Sequence, residues 1–273
     1  MGIFMSPKVT ILVPNYKTLE LTKLCLRLIR QKTPKDLYKV IVIDNDSQDA
    51  SIKYLRTVKW IELIERKTIP GEPVHLAHAR ALDLALQRVD TPYVLSIHTD
   101  SIVLQEDWLN YLLENIEADS NIAGVGPHKI EERSILTHIG KFFERPIQRF
   151  WYSLTKKQNH ALENMGDNHY YLRSHCAMYR MDLIRKYGLS FGMENKTAGK
   201  AMHKNLVDLG FDMIFLPHNI LNKKIEHIYH ATMILHPELG ARQKTIRRGV
   251  KKIQARLNAA NAQQVLADDS LDN

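Results

Sequence analysis

At 273 residues the chain is long enough for one substantial core, perhaps with a smaller lobe, and too long for a minimal binding module. Hydrophobic residues at 44% and charged residues at 25% give the balance of a soluble globular protein and exclude extended disorder. The formal charge of +8 gathers late: Arg242 to Arg256 holds seven basic residues and no acidic one, so total charge does not characterise the body of the chain.

The opening, MGIFMSPK, is too short and too weakly apolar for a signal peptide, and no run reaches the roughly 20 apolar residues of a membrane span. The expectation is a cytoplasmic chain, with peripheral contact to a membrane left open. VTILVP, Val9 to Pro14, then reads as a strand. Leu19 to Arg30, with Leu21, Leu24 and Leu28 among basic residues, reads as an amphipathic helix. KVIVI, Lys39 to Ile43, is a second strand; DNDSQDAS follows, and Asp46 or Ser47 is expected to cap a helix starting near Asp49. WIELIE, Trp60 to Glu65, is a third strand, His75 to Gln87 a helix behind the punctuating PGEP, and Tyr93 to Ile97 a fourth strand. Short β-rich runs separated by helical patterns predict an α/β fold, a doubly wound and mostly parallel sheet with helices on both faces.

Further on, IAGVGP suggests another strand and SILTHIGKFF a hairpin or edge element. The stretch from about residue 131 to 170 reads as a long, partly ordered excursion, of the kind that can complete a binding site. Helices follow at about 181–187 and 199–209, and FDMIFLP is a strand. Ile246, Val250, Ile253 and Leu257 mark an apolar helical stripe flanked by Arg247, Arg248, Lys251, Lys252 and Arg256; Gly249 counts against that helix. Cys25 and Cys176 lie in helical or apolar contexts and are expected as buried thiols, in keeping with a reducing compartment.

Open α/β sheets bind ligands beyond the carboxyl ends of their strands. Polar residues sit at those ends: Pro14 and Asn15 after the first strand, Asp44 and Asp46 after the second, His98 and Asp100 after the fourth. Asp and Asn also favour turns and caps for local reasons, so it is their joint placement that points to a site. Among the later histidines, His227 and His230 have a spacing that zinc sites use, without a cysteine or acidic residue nearby to complete a tetrahedral set.

VTILVPNY, VIVIDNDSQD, HLAHARALDLAL and YVLSIHTDSIVLQEDWL, in that order, resemble the nucleotide-sugar-binding half of family 2 glycosyltransferases, which have a GT-A fold. The resemblance runs through most of residues 8 to 230 and is strongest in the first 110. It implies a nucleotide-sugar-binding half at 1–120, a smaller acceptor-side half of the same catalytic domain at 121–240, and a basic amphipathic helical tail at 241–273. It further implies that Pro14 and Asn15 begin the nucleotide pocket, that Asp44 contacts the base or ribose, and that Arg80 lies near the donor phosphates. Asp100 matches the last aspartate of a metal-binding DxD motif. His98 stands in place of the first one, as a ligand to the ion or a contact to phosphate, ribose or base. His230 is the third candidate ligand, ahead of His227. Mn²⁺ or Mg²⁺ and a UDP or dTDP sugar are the implied cofactor and donor.

The acidic pair from which such enzymes draw a general base would fall at Ala198-Gly199, where no carboxylate exists; Glu194 is the nearest acid. Trp108 is expected to bury its ring beneath the metal loop, and Arg173, His175 and Arg180 to face the acceptor. The implied activity is inverting transfer of a sugar to a hydroxyl of a saccharide or lipid-linked glycan. Three alternatives stand beside it: transfer onto DNA, prompted by the basic tail; noncatalytic nucleotide-sugar binding, prompted by the absent pair; and, for the tail helix, contact with a membrane surface or pairing in a homodimer.

Overall fold

Alternation along the strands sets the architecture. In β1 (Val9–Asn15), Val9, Ile11 and Val13 point into one apolar cluster and Leu12 into another. β2 (Tyr38–Asp44) sends Tyr38, Val40 and Val42 to the first and Ile41 and Ile43 to the second. A strand whose side chains are buried on both faces needs a helical layer on each. α1 (Leu19–Lys32) and α4 (Trp108–Glu117) cover one face; α3 (Val74–Leu86) covers the other. Each side chain so buried contributes about 1.5–3 kcal/mol relative to leaving it in water.

This computed structural model describes residues 6–127, 171–228, 231–236 and 243–273. Met1–Pro127 with Leu172–Asn273 makes one unit by internal contacts, and His128–Tyr171 another. The hairpin expected at SILTHIGKFF, the excursion at 131–170 and His230 lie outside the described residues. Among the described residues, no helix is long and apolar enough to cross a membrane.

The main sheet has seven strands in the order β3-β2-β1-β4-β7-β6-β8. Here β3 is Glu62–Glu65, β4 Tyr93–Ile97, β6 Ile122–Gly126, β7 Cys176–Arg180 and β8 Asp212–Phe215. β3, β2, β1 and β4 run parallel, β7 runs antiparallel to β4 and β6, and β8 is parallel to β6. The expected doubly wound, mostly parallel sheet is present. Its winding reverses at β1, because α1 carries the chain to β2 on one side and α3 returns it to β4 on the other.

At that switch point the strands part. The β1–β4 ladder ends at Leu12↔Ser96, whereas β1–β2 continues to Asn15↔Asp44. Pro14, which has no N–H to donate, sits in the stretch beyond the reach of β4. A second, two-stranded sheet pairs β5 (Ser101–Val103) with β9 (Ile225–His227) antiparallel and sets Ser101 opposite His227.

Several local expectations need correction. α2 (Ala50–Leu55) is capped by Asp49, whose side chain accepts from the Ser51 N–H. Asp46 cannot cap it: it adopts a left-handed φ of 63° and turns away to Thr68 and Gln48. Ser47 instead bridges Asn15 and the Lys17 N–H. The third strand begins at Glu62, because the Trp60 ring packs edge-on to Tyr38 and donates its Nε1–H to the Leu271 carbonyl. Both cysteines are free and buried, as expected.

The carboxyl-terminal segment docks by its apolar stripe. In α9 (Gln243–Leu257), Ile253 is buried and Val250 and Leu257 pack on the same cluster. A Cβ at Gly249 would stand 2.2 Å from Ile234 Cδ1 of α8 (Ala231–Leu235), so this close approach requires glycine. The stripe that the sequence offers to a membrane surface is thus taken up in the fold, and Arg247, Arg248 and Lys251 face solvent. Beyond α10 (Ala260–Ala267), Asp269 and Asp272 bind Arg27 of α1, which is 0% exposed. Its Nε–H donates to Asp272 at 2.9 Å, and its Nη atoms donate to Asp269 at 2.6 Å and to the Leu266 carbonyl at 2.7 Å.

Candidate active site

Two polar clusters line the carboxyl ends of β1, β2 and β4. The first is built around Asp44, 3% exposed at the end of β2. One of its oxygens accepts from Asn15 Nδ2 at 2.7 Å, the other from the Ser47 N–H at 3.0 Å. Asn15 also donates to Ser51 at 3.0 Å and is itself 1% exposed, so it holds Asp44 from behind. Arg66, directly after β3, donates its backbone N–H to the Asp44 carbonyl and its guanidinium to Asn45 and Glu72. Arg80 reaches the same Glu72 at 2.6 Å. Burial would raise the Glu72 pKa, but the two guanidiniums outweigh it and hold the carboxyl below its ordinary value.

The second cluster surrounds Asp100, 6% exposed in the turn between β4 and β5. The β5–β9 pairing brings His227 beside it, with Nε2 3.1 Å from Asp100 Oδ1, and the Ile228 N–H extends the pairing to the Asp100 carbonyl. His98 Nδ1 lies 3.9 Å from the same Oδ1, and the Ala231 N–H donates to Oδ2 at 3.2 Å. Burial would raise the Asp100 pKa, yet His227, His98 and the Ala231 amide together hold it well below the carboxylate range.

β7 supplies the opposite wall. Its register sets Cys176 against Ile97, which places Ser174 and His175 next to His98. The His98 N–H donates to the His175 carbonyl at 3.4 Å, and the Ser101 hydroxyl to the same carbonyl at 3.0 Å. The His175 ring stacks on His227 at 4.0 Å and 1°. From α3, His78 meets His98 edge-on at 4.8 Å. Burial pushes the His78 pKa down to about 4 and lowers those of His98 and His175, so these rings stay neutral at pH 7 and keep lone pairs for ligation.

A buried chain of side chains joins the two clusters. Asn15 Oδ1 accepts from Thr22 at 2.7 Å; Thr22 lies 3.1 Å from Thr18, and Thr18 lies 3.0 Å from Thr99, the middle residue of HTD. None of the four is more than 5% exposed. The carboxylates at the ends of β2 and β4 are therefore fixed relative to one another through α1.

The donor set suits a divalent cation. Ligating atoms of His98, Asp100 and His227 all lie within 4.8 Å of one another. Adjacent ligands on an ion with bonds of about 2.1 Å stand roughly 3 Å apart, close to the observed Asp100–His227 separation. His227, ranked second from the sequence, is the described histidine that joins Asp100. The β5–β9 register makes that choice, which the spacing from His230 does not.

Glu194 is exposed, with a φ of 55°, and Asn195 follows at 52°. Asp83 of α3 grips this loop by accepting from the Phe191 N–H at 2.6 Å and the Gly192 N–H at 2.9 Å, while burial raises its own pKa. Ala198 is buried and Gly199 has a φ of 76° against Tyr179, so this part of the loop is shaped without a carboxylate. Trp108 is 1% exposed as expected, its Nε1–H donating to Thr33. Arg180 is a correction: β7 carries it to the far end of the sheet, opposite Tyr93, where its guanidinium binds the Ile122 and Ile116 carbonyls.

The family model for glycosyl transferase family 2 matches residues 10–188, well over half of the chain. The chain belongs to glycosyltransferase family 2. Its described fold is the GT-A type: a mannosyltransferase from Pyrobaculum calidifontis, solved with GDP-Man and Mn²⁺, superposes with a TM-score of 0.55 at 18% identity, over 96% of this chain and 73% of that one. A poly(ribitol-phosphate) beta-glucosyltransferase of Bacillus spizizenii is 28% identical over 116 residues, 40% of this chain and 18% of that protein. A teichoic acid poly(glycerol phosphate) polymerase of Staphylococcus epidermidis is 28% identical over 126 residues, 43% of this chain and 16% of that protein. The family 2 chain thus aligns with less than a fifth of these relatives' lengths.

Proposed function

We propose that this family 2 chain is a metal-dependent, inverting glycosyltransferase that moves a sugar from a nucleoside-diphosphate sugar to a hydroxyl of a saccharide, polyol-phosphate or lipid-linked glycan. The observation that carries this reading is the pair of clusters at the switch point, with Asp44 on one side of the parted strands and Asp100 with its imidazoles on the other. Asp44, braced by Asn15 with Pro14 beside it, holds the base or ribose. Arg80, tethered through Glu72 on the same edge, faces the donor phosphates. His98, Asp100 and His227, with His230 a further candidate, hold Mn²⁺ or Mg²⁺. Such an ion offsets the negative charge that develops on a departing diphosphate. Glu194 takes the proton of the acceptor hydroxyl, and a single displacement then inverts the anomeric centre. The names of the two aligned relatives support a polyol-phosphate among the acceptors; UDP and dTDP sugars are the first donors to try, with GDP-mannose added on the strength of the mannosyltransferase.

The test is transfer from these donors to glycan and polyol-phosphate acceptors with Mn²⁺ or Mg²⁺. Wild-type product of inverted configuration is expected, and Glu194→Gln should lower kcat about 10²- to 10⁴-fold with little change in donor KM. A second reading, nucleotide-sugar binding without transfer, draws on Ala198 and Gly199 in place of the acidic pair. Tight metal-dependent binding of nucleoside diphosphates with neither transfer nor donor hydrolysis across the panel would select it.

A further inference from the structure

His98 stands where the resemblance implies a carboxylate, and the exchange has a chemical consequence. Both oxygens of a carboxylate accept a cation without preparation. A neutral imidazole has one lone-pair nitrogen, and the proton on the other decides which way it faces. In this chain His98 Nδ1 is the nitrogen directed at Asp100, and Nε2 lies 3.1 Å from the Ser174 hydroxyl. That hydroxyl is also 3.3 Å from His78 Nε2.

We infer that Ser174 and His78 are positioning residues that commit His98 Nδ1 to the metal, and that the resulting site of two imidazoles and one carboxylate selects a transition ion such as Mn²⁺ over Mg²⁺. The Ser174 hydroxyl has one proton and two lone pairs, so it can accept from one ring and still donate to the other. If it donated to His98, the imidazole proton would sit on Nδ1, aimed at a carboxylate 3.9 Å away, beyond hydrogen-bond reach, and it would block ligation. In the opposite order His98 Nε2–H donates to Ser174 Oγ, Ser174 donates to His78 Nε2, and Nδ1 keeps its lone pair. This order uses both contacts of the Ser174 hydroxyl and is the one that an ion at Asp100 stabilises. Partners that orient a ligating histidine in this way typically account for 10- to 100-fold in metal affinity. Imidazole nitrogen favours transition ions, whereas Mg²⁺ keeps oxygen and water around it. Backbone pairing fixes the relay, because the Ile97↔Cys176 register sets the position of Ser174 and α3 that of His78.

The inference rests on the metal site proposed above, and the experiment separates the two. Mn²⁺ binding is followed by its EPR signal, alone and with pyrophosphate as a base-independent mimic of the donor diphosphate; Mg²⁺ competition gives the selectivity. Ser174→Ala is expected to weaken Mn²⁺ binding about 10-fold or more, and Ser174→Thr, which keeps the hydroxyl, to restore it. His98→Asp should lower the preference for Mn²⁺ over Mg²⁺, and Ser174→Ala in that background should have no further effect on affinity. ¹⁵N spectra of the side chain should report the Nε2–H tautomer of His98 in wild type and a mixture in Ser174→Ala; thermal melts confirm that each variant is folded. A wild-type protein that binds no Mn²⁺ in either condition, or Asp100→Asn binding as well as wild type, overturns the metal site and this inference with it. Loss of binding in Asp100→Asn while Ser174→Ala matches wild type in affinity and tautomer overturns the inference alone.

Discussion

Arg27 and Asp100 are both charged and both almost wholly buried, yet they are furnished differently. Around Arg27 the fold places two carboxylates and two backbone carbonyls, so that each guanidinium nitrogen has a partner. Around Asp100 it places two imidazoles, a group able to ligate a metal ion, and one amide. A buried charge whose partners are all of opposite sign or dipole fastens one segment to another. A buried carboxylate ringed by imidazole nitrogens is furnished for a cation. Breaking the first should therefore cost stability, and breaking the second should cost function.

The largest effect expected is on the first side of that contrast. Asp272→Ala leaves the buried guanidinium short of its bidentate partner and also strips the Tyr54 hydroxyl of its acceptor. The expected loss is about 3 kcal/mol or more, within the range for removing one member of a buried pair, read as a fall in the urea midpoint. Turnover per folded molecule should be unchanged. Asp269→Ala should cost much less, since that side chain is 84% exposed. Equal losses from the two would remove the distinction between a buried fastening and a surface pair.

On the other side, Asp100→Asn should lower kcat/KM about 10²- to 10³-fold and abolish Mn²⁺ binding, because the amide keeps the shape and loses the charge. Its unfolding midpoint without metal should shift by no more than about 1 kcal/mol, as the Ala231 N–H retains an acceptor. Unchanged turnover and unchanged nucleotide affinity in the presence of metal would leave Asp100 a purely structural carboxylate.

A smaller effect tests the link between the clusters. Thr99→Val removes the hydroxyl that meets Thr18 and should cost about 1 kcal/mol of stability, with a several-fold rise in donor KM that Thr99→Ser largely reverses. If KM for donor does not move, the two clusters are set independently.

How far all this was legible in the sequence follows from the range of each interaction. β4 and its HTD turn were readable because five buried residues stop abruptly at a polar triplet. The missing acidic pair was readable as well, because Gly210 marks the end of its helix and fixes the count back to Ala198-Gly199. β5 and β9 were not, since three-residue strands carry no periodicity; without their register, nothing in the HIYH spacing favours His227 over His230. Ser174 and His78 escaped for a related reason: a serine before a strand and a histidine among helical alanines acquire a shared role only when β7 and α3 meet at His98. The Arg27 contact spans 245 residues of sequence, beyond the reach of any local pattern.

The gentlest test compares site and core through pH. His203, on α6 (Lys200–Asp208), is 7% exposed and away from both carboxylates; its Nδ1 accepts from the Leu172 N–H at 3.4 Å, which requires a neutral ring. Burial pushes its pKa down to about 4. Between that value and the ordinary 6.5, the unfolded chain binds a proton that the folded one refuses, so stability is fully present above pH 6.5 and falls as pH drops through this window. The slope from one such histidine is at most about 1.4 kcal/mol per pH unit, and the loss between pH 7 and 5.5 roughly 1 kcal/mol. His203→Gln, whose amide oxygen can still accept from Leu172, should flatten the pH dependence of the urea midpoint by that amount while leaving the pH profile of turnover in place. His78→Gln should flatten the same stability curve and also weaken Mn²⁺ binding, because only His78 touches the relay. If both substitutions altered metal affinity, the neutral histidines would form one coupled set, and the division between core and site would lie elsewhere than at α3.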